Sequence, residues 1–178
     1  MANTTFSGPV RSKNGFQSIG PGAVVALTAA TNLTVADHAG RLLTMDPVGT
    51  PTAITLPTIN ATADSAVAGP GSDPNNPNTI GTTFEILFID EFTGTISTDG
   101  TDKFVGSVMI GVDDGAKKAF VPAAANDVVN LNGEAGAGNA TKGGLIGSRI
   151  KFTATADNTY MVEGLLIGDG TIVTPFGN

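Results

Sequence analysis

The chain has 178 residues and a formal net charge of −7, with 40% hydrophobic and only 14% charged residues, enough for one domain with a sizeable core and too apolar for a disordered acidic segment. It contains no Cys, no Trp, one His and one Tyr against 24 Gly, so disulfides and thiolate metal sites are excluded and the usual acid, base and nucleophile inventory is nearly absent. No apolar run reaches membrane-helix length, and Met1–Gly20 lacks the apolar core of a signal peptide, so a cytoplasmic residence and no membrane partner are expected.

Residues 1–22 mix Gly, Pro, Ser and Asn with Phe6, Val10, Phe16 and Ile19 at no regular period, which predicts an extended N-terminal arm. The arm carries Arg11 and Lys13 and no acid, for +2, leaving −9 on the remainder. Residues 23–178 are expected to form a single β domain. Its acidic balance argues against a nucleic-acid partner, because phosphate binding needs clustered Lys and Arg, and here only Lys117–Lys118 and Arg149–Lys151 cluster.

The apolar run Ala23–Leu27 predicts a strand, and LTVADHAGRLLTMD predicts one helical turn with Thr34 as cap, Asp37 as capping-box acid and Gly40 as left-handed exit. His38 lies in that turn at the surface, and a lone His without a second ligand reads as structural. Strands are predicted at Arg41–Met45 and Thr52–Leu56. A long loop over 57–82 follows, rich in Pro, Gly, Asn and Asp, with contact to a neighbouring surface as its functional reading.

Thr83–Ile89 is apolar on both faces apart from Glu85, as for a central strand, and EFTG leads into Thr95–Ser97. Asp99–Gly100 predicts a hairpin turn, Lys103–Ile110 another strand, and Asp113-Asp114-Gly115 another turn. Short strands are predicted at Ala119–Val121 and Val128–Leu131. Gly133–Gly147 predicts a flexible loop that fits no phosphate-binding pattern. Arg149–Ala154 alternates, with Ile150, Phe152 and Ala154 on one face. Asp157-Asn158 turns into a strand at Tyr160–Ile167, and a last strand is predicted at Thr171–Thr174. The fold class is all-β, a β-sandwich or jelly-roll-like barrel with little helix.

Asp99, Asp102, Asp113 and Asp114 offer Ca²⁺ ligand chemistry only if two turns converge, and Asp beside Gly is what turns require anyway. Glu85, Asp90, Glu91 and Glu163 offer a glycosidase-like carboxylate pair, but without Trp and with a single Tyr there is little aromatic platform for a sugar. Neither catalytic residues nor a metal site or cofactor is expected.

With SGPVRSKNGF at Ser7–Phe16, ADHAGR at Ala36–Arg41, AITLP at Ala53–Pro57, DKFVGSV at Asp102–Val108 and YMVEGLLIGDGTIVTPF at Tyr160–Phe176, the chain resembles small virion-surface proteins of tailed bacteriophages. The resemblance implies a capsid decoration, or cement, protein: non-enzymatic, β-rich, homotrimeric, bound to the major capsid protein at symmetry axes, and bracing the shell. It places the protein on the virion's capsid surface after assembly in the host cytoplasm. Attachment is assigned to Phe6, Val10, Arg11, Lys13 and Phe16 in the arm, and trimer contacts to strand edges within Tyr160–Phe176. The alternative is a receptor- or glycan-binding module of a head fibre or tail that reads its ligand with Gly133–Gly147 and Pro57–Gly81. A weaker third reading is a scaffold-like domain of a bacterial surface assembly.

Overall fold

The computed structural model describes residues 21–46, 52–61, 78–112, 115, 117–134 and 138–178. Residues 1–20 of the arm, the middle of the long loop and Asp113–Asp114 lie outside these residues, and the arm's last two residues, Pro21 and Gly22, belong to a 3-10 turn rather than to an extended segment. A 3-10 turn at Pro21–Ala23 leads into β1 (Val24–Leu27), followed by β2 (Thr31–Asn32), helix α1 (Val35–His38), β3 (Leu42–Met45), β4 (Thr52–Thr55) and β5 (Thr83–Phe88). Then come β6 (Thr93–Ser97), β7 (Lys103–Val112), β8 (Lys118–Phe120), β9 (Val128–Asn132), β10 (Arg149–Ala156), β11 (Thr159–Gly168) and β12 (Phe176–Gly177). The chain is all-β, as the sequence predicts.

Two mixed sheets form a sandwich-like arrangement. The larger has the order β1-β3-β5-β10-β11-β7-β8 and the smaller β12-β9-β6-β4-β2. The first six strands alternate between the sheets. Each crossing reverses the chain and the next restores it, so β1, β3 and β5 run parallel in one sheet and β2, β4 and β6 parallel in the other. This half of the chain is three turns of a flattened coil. The second half adds antiparallel pairs, β5 with β10, β10 with β11 and β6 with β9, plus a ten-residue parallel pairing of β11 with β7 from Thr159↔Lys103 to Gly168↔Val112.

Strand alternation builds the core between the sheets. Phe84, Ile86 and Phe88 of β5, Ile150, Phe152 and Ala154 of β10, and Tyr160, Val162 and Leu166 of β11 are buried, and they join Ile54, Ile96 and Val129 of the other sheet in one cluster. The Phe104 and Phe152 rings pack with centroids 5.4 Å apart and Phe88 and Phe92 at 5.5 Å. Each such ring withdrawn from water stabilises the fold by roughly 1.5–3 kcal/mol.

The predicted helical turn forms as expected. The Thr34 hydroxyl accepts from Asp37 N–H at 3.1 Å, and Gly40 takes a φ of +69°. His38 is half-buried, and its Nδ1 accepts the Thr34 N–H at 3.0 Å. It thus satisfies the backbone donor that a capping-box acid ordinarily would.

Three local expectations are corrected. Asp99–Gly100 is not a hairpin turn, because β6 and β7 lie in different sheets. It is a corner in which Asp99 Oδ1 accepts from the N–H groups of Thr101 and Asp102, steering Asp102 inward. Thr171–Thr174 is irregular, and the last strand is Phe176–Gly177 against Val129 and Val128. Buried Ile172 and the Val173 N–H bond to Thr141 O anchor that stretch without a ladder. The Gly133–Gly147 segment, where described, is tied down rather than free. Phe92 N–H donates to Gly144 O and Gly133 N–H to Phe92 O, both at 2.9 Å, with Gly133, Gly143, Gly144 and Ala140 buried.

Candidate functional site

The five arm residues assigned to attachment, Phe6, Val10, Arg11, Lys13 and Phe16, lie outside the described residues. Residue 21 opens the turn before β1, which among the described residues pairs with β3 alone and ends the larger sheet. An edge strand presents backbone N–H and C=O groups that a neighbouring extended segment can pair with.

The ends of the long loop are fastened to the core by a polar cluster. Asp102 is fully buried, and its Oδ2 accepts the Ile59 N–H at 2.9 Å. The Tyr160 hydroxyl donates to Pro57 O at 2.7 Å, and the Thr98 hydroxyl donates to Asp102 O at 2.7 Å. Thr79 and Asn60 join the two loop ends through Thr79 N–H to Asn60 O and Asn60 N–H to Thr79 Oγ1. Burial raises the Asp102 carboxyl above its usual 3.8; the Ile59 N–H opposes this, and the charges of Asp99 and Asp157 reinforce it. Burial, with Asp102 and Asp99 nearby, also pushes the Tyr160 phenol up. Both shifts follow from placing ionisable groups where their charged forms lose hydration.

Asp99, Glu85 and Glu163, like Asp102, hold structural contacts, while Asp113 and Asp114 lie outside the described residues. Asp99 is committed to the corner and to the Thr58 hydroxyl at 2.8 Å; burial raises its carboxyl, but the hydrogen bonds from Thr101, Thr58 and Asp102 together hold it below 3.8. Glu85 pairs with Arg149 at 2.5 Å and Glu163 with Lys151 at 2.9 Å, side by side on the outer face of the larger sheet. Among the described residues no group of three acidic or His side chains is placed to hold a metal.

In the range Tyr160–Phe176 assigned to trimer contacts, Phe176 lies in β12, an end strand of the smaller sheet among the described residues, whereas Tyr160–Gly168 belong to β11, which is paired on both sides by β10 and β7. The outward side of β11 is a face. Met161, Glu163, Leu165 and Ile167 alternate outward, and Leu165 stands beside Met109 of β7. Met109, Ile146 and Leu165 are 45%, 56% and 52% exposed. With Leu145, Ile167, Gly111, Val112, Glu91 and Lys117 they line an open groove of about 690 Å³. Sequence reasoning missed this surface. The signal was present in TYMVEGLLIG, which is apolar on both faces, but one strand cannot show which face stays uncovered.

Comparison with known protein families, curated proteins and solved structures finds no match.

Proposed function

We propose that the chain is a non-enzymatic virion structural protein that binds the outer surface of a bacteriophage capsid and stabilises the shell as a homotrimer. The observation that supports this reading is that the basic segment of residues 1–20 precedes β1, the strand that ends the larger sheet among the described residues. An arm with spaced Phe and Val, joined through a short turn to a strand that ends its sheet among the described residues, suits attachment to a neighbouring shell subunit by strand addition and side-chain docking. Multivalent attachment through a trimer makes modest contacts hold firmly. The resemblance of its segments to tailed-phage virion-surface proteins points the same way. The glycan-binding alternative gains less, since the described part of Gly133–Gly147 spends its glycines on packing.

The test is co-sedimentation of the purified protein with parent capsids lacking it, with bound copies counted by quantitative mass spectrometry. Saturable binding at a copy number matching the shell's symmetry axes is expected. Deletion of residues 1–20 should leave a β-type circular dichroism spectrum and abolish binding. Binding that survives the deletion overturns the arm assignment, and no binding by the intact chain, or a few copies at one vertex, overturns the decoration reading.

A further inference from the structure

We infer that the corner at Asp102 and the root of the long loop, Pro57–Asn60, form a pH-sensitive latch that is closed while the Asp102 carboxyl is neutral and opens when it ionises. The latch is independent of the capsid-binding reading.

The two oxygens of the fully buried Asp102 are unequally served. Oδ2 accepts the Ile59 N–H at 2.9 Å, whereas Oδ1 has no hydrogen-bond partner among the described residues. An ionised carboxylate offers about four lone-pair sites and, away from water, needs donors for them. The groups that face Asp102 from the neighbouring elements do not supply them. Asp99 in the same corner and Asp157 in the β10–β11 turn are acids whose charges oppose its ionisation. From β11 the Tyr160 hydroxyl gives its proton to Pro57 O, and Pro57–Asn60 carries no ionisable side chain. Lys103, next along β7, favours the charged form, but its ammonium is held by Asp127 Oδ2 and Gly100 O. Burial first, and then the two acids, raise the carboxyl above 3.8. A charge formed on Asp102 is relieved by admitting water.

The loop root is where water enters at least cost. Asp102 is walled by paired strands elsewhere, but Pro57–Asn60 is held by side-chain and turn contacts instead of a sheet ladder. These contacts are Tyr160 to Pro57 O, the Thr58 hydroxyl to Asp99 Oδ2, Ile59 N–H to Asp102 Oδ2 and Asn60 N–H to Thr79 Oγ1. Segments held in this way open locally while the core stays folded. The buried Ile59 side chain, part of the core cluster, keeps the root closed while Asp102 is neutral. Ionisation opposes that burial, so protonation of one carboxyl biases a two-state element.

The test is hydrogen-exchange mass spectrometry of the full chain over a pH series spanning 3.8, with rates divided by the intrinsic rate at each pH. The amides of residues 58–60 should be less protected than those of β5 and β10 throughout. Their protection should fall at least about fivefold as pH rises through the titration. D102N keeps an acceptor for Ile59 N–H and should show no such fall. Root amides as protected as those of β5 and β10 overturn the proposal, because the root then opens only with the whole fold. A wild-type profile flat in pH overturns it too, as does a fall retained in D102N. Should D102N lose the wild-type circular dichroism spectrum, D157N decides. Removing that charge should move the fall to lower pH, and a fall that stays in place overturns the latch.

Discussion

Asp102 concentrates the most chemistry in one side chain. It turns inward at the Asp99–Gly100 corner, and its carboxylate accepts the Ile59 N–H in a fully buried setting. Burial holds its folded value above 3.8, the ordinary carboxyl value expected in the unfolded chain. A group with a raised folded value contributes stability that is complete below the unfolded value and lost as pH rises through the folded one. The D102N substitution retains an acceptor for the Ile59 N–H but removes the titration. In urea unfolding, wild-type stability relative to D102N should therefore fall as pH is raised through and above about 3.8 and then level off; parallel pH profiles would refute this. D102A leaves the Ile59 N–H without its acceptor and should be about 1–3 kcal/mol less stable than D102N at every pH, since neither variant carries the titration. The sequence singled out Asp102 as a turn acid and conditional Ca²⁺ ligand but not as a buried one, because burial is a property of what surrounds the turn.

At the level of elements, the decisive feature is the coil of parallel strands β1 to β6, and the packed Gly133–Gly147 segment that abuts it at Phe92. A Cβ built on Gly133 would lie 2.1 Å from Gly144 O and 2.8 Å from Phe92 O, both backbone atoms that cannot swing aside. G133A should therefore destabilise the fold by at least about 2 kcal/mol through overpacking, measured by thermal or urea unfolding. A loss below about 0.5 kcal/mol would mean that the segment yields easily. Much of the element pattern was legible in the sequence. The alternation of Ile150, Phe152 and Ala154, the Thr34 cap and the Asp157-Asn158 turn all appear where local chemistry put them. The Asp99–Gly100 corner was misread because an Asp-Gly pair specifies a change of direction but not whether the chain returns to the same sheet.

For the whole molecule, one hydrophobic cluster spans both sheets, so neither sheet retains a core without the other. Equilibrium unfolding of monomeric protein in urea should then be a single transition. Far-UV circular dichroism and the fluorescence of Tyr160, the lone Tyr in a chain without Trp, should report the same midpoint. Separate midpoints would mean that the coil and the β10–β11 half unfold independently. The distant pairings, such as β7 with β11 and β5 with β10, also predict folding in milliseconds to seconds rather than microseconds. The same arrangement places β1 at one end of the larger sheet among the described residues and turns Met109 of β7 and Leu165 of β11 outward.

Local propensity, alternation and composition were enough to specify the all-β class, most strand spans, the helical cap and the uneven charge between arm and body. They did not specify which sheet each strand joins, that neighbours in the coil run parallel, that Asp102 is buried, or that Leu165 and Met109 share an exposed groove. Alternation records that a strand has an apolar side, but a partner is chosen by crossovers between residues far apart in the chain. An apolar face becomes core or interface according to whether the fold has another layer to cover it, and among the described residues the larger sheet is covered on one side.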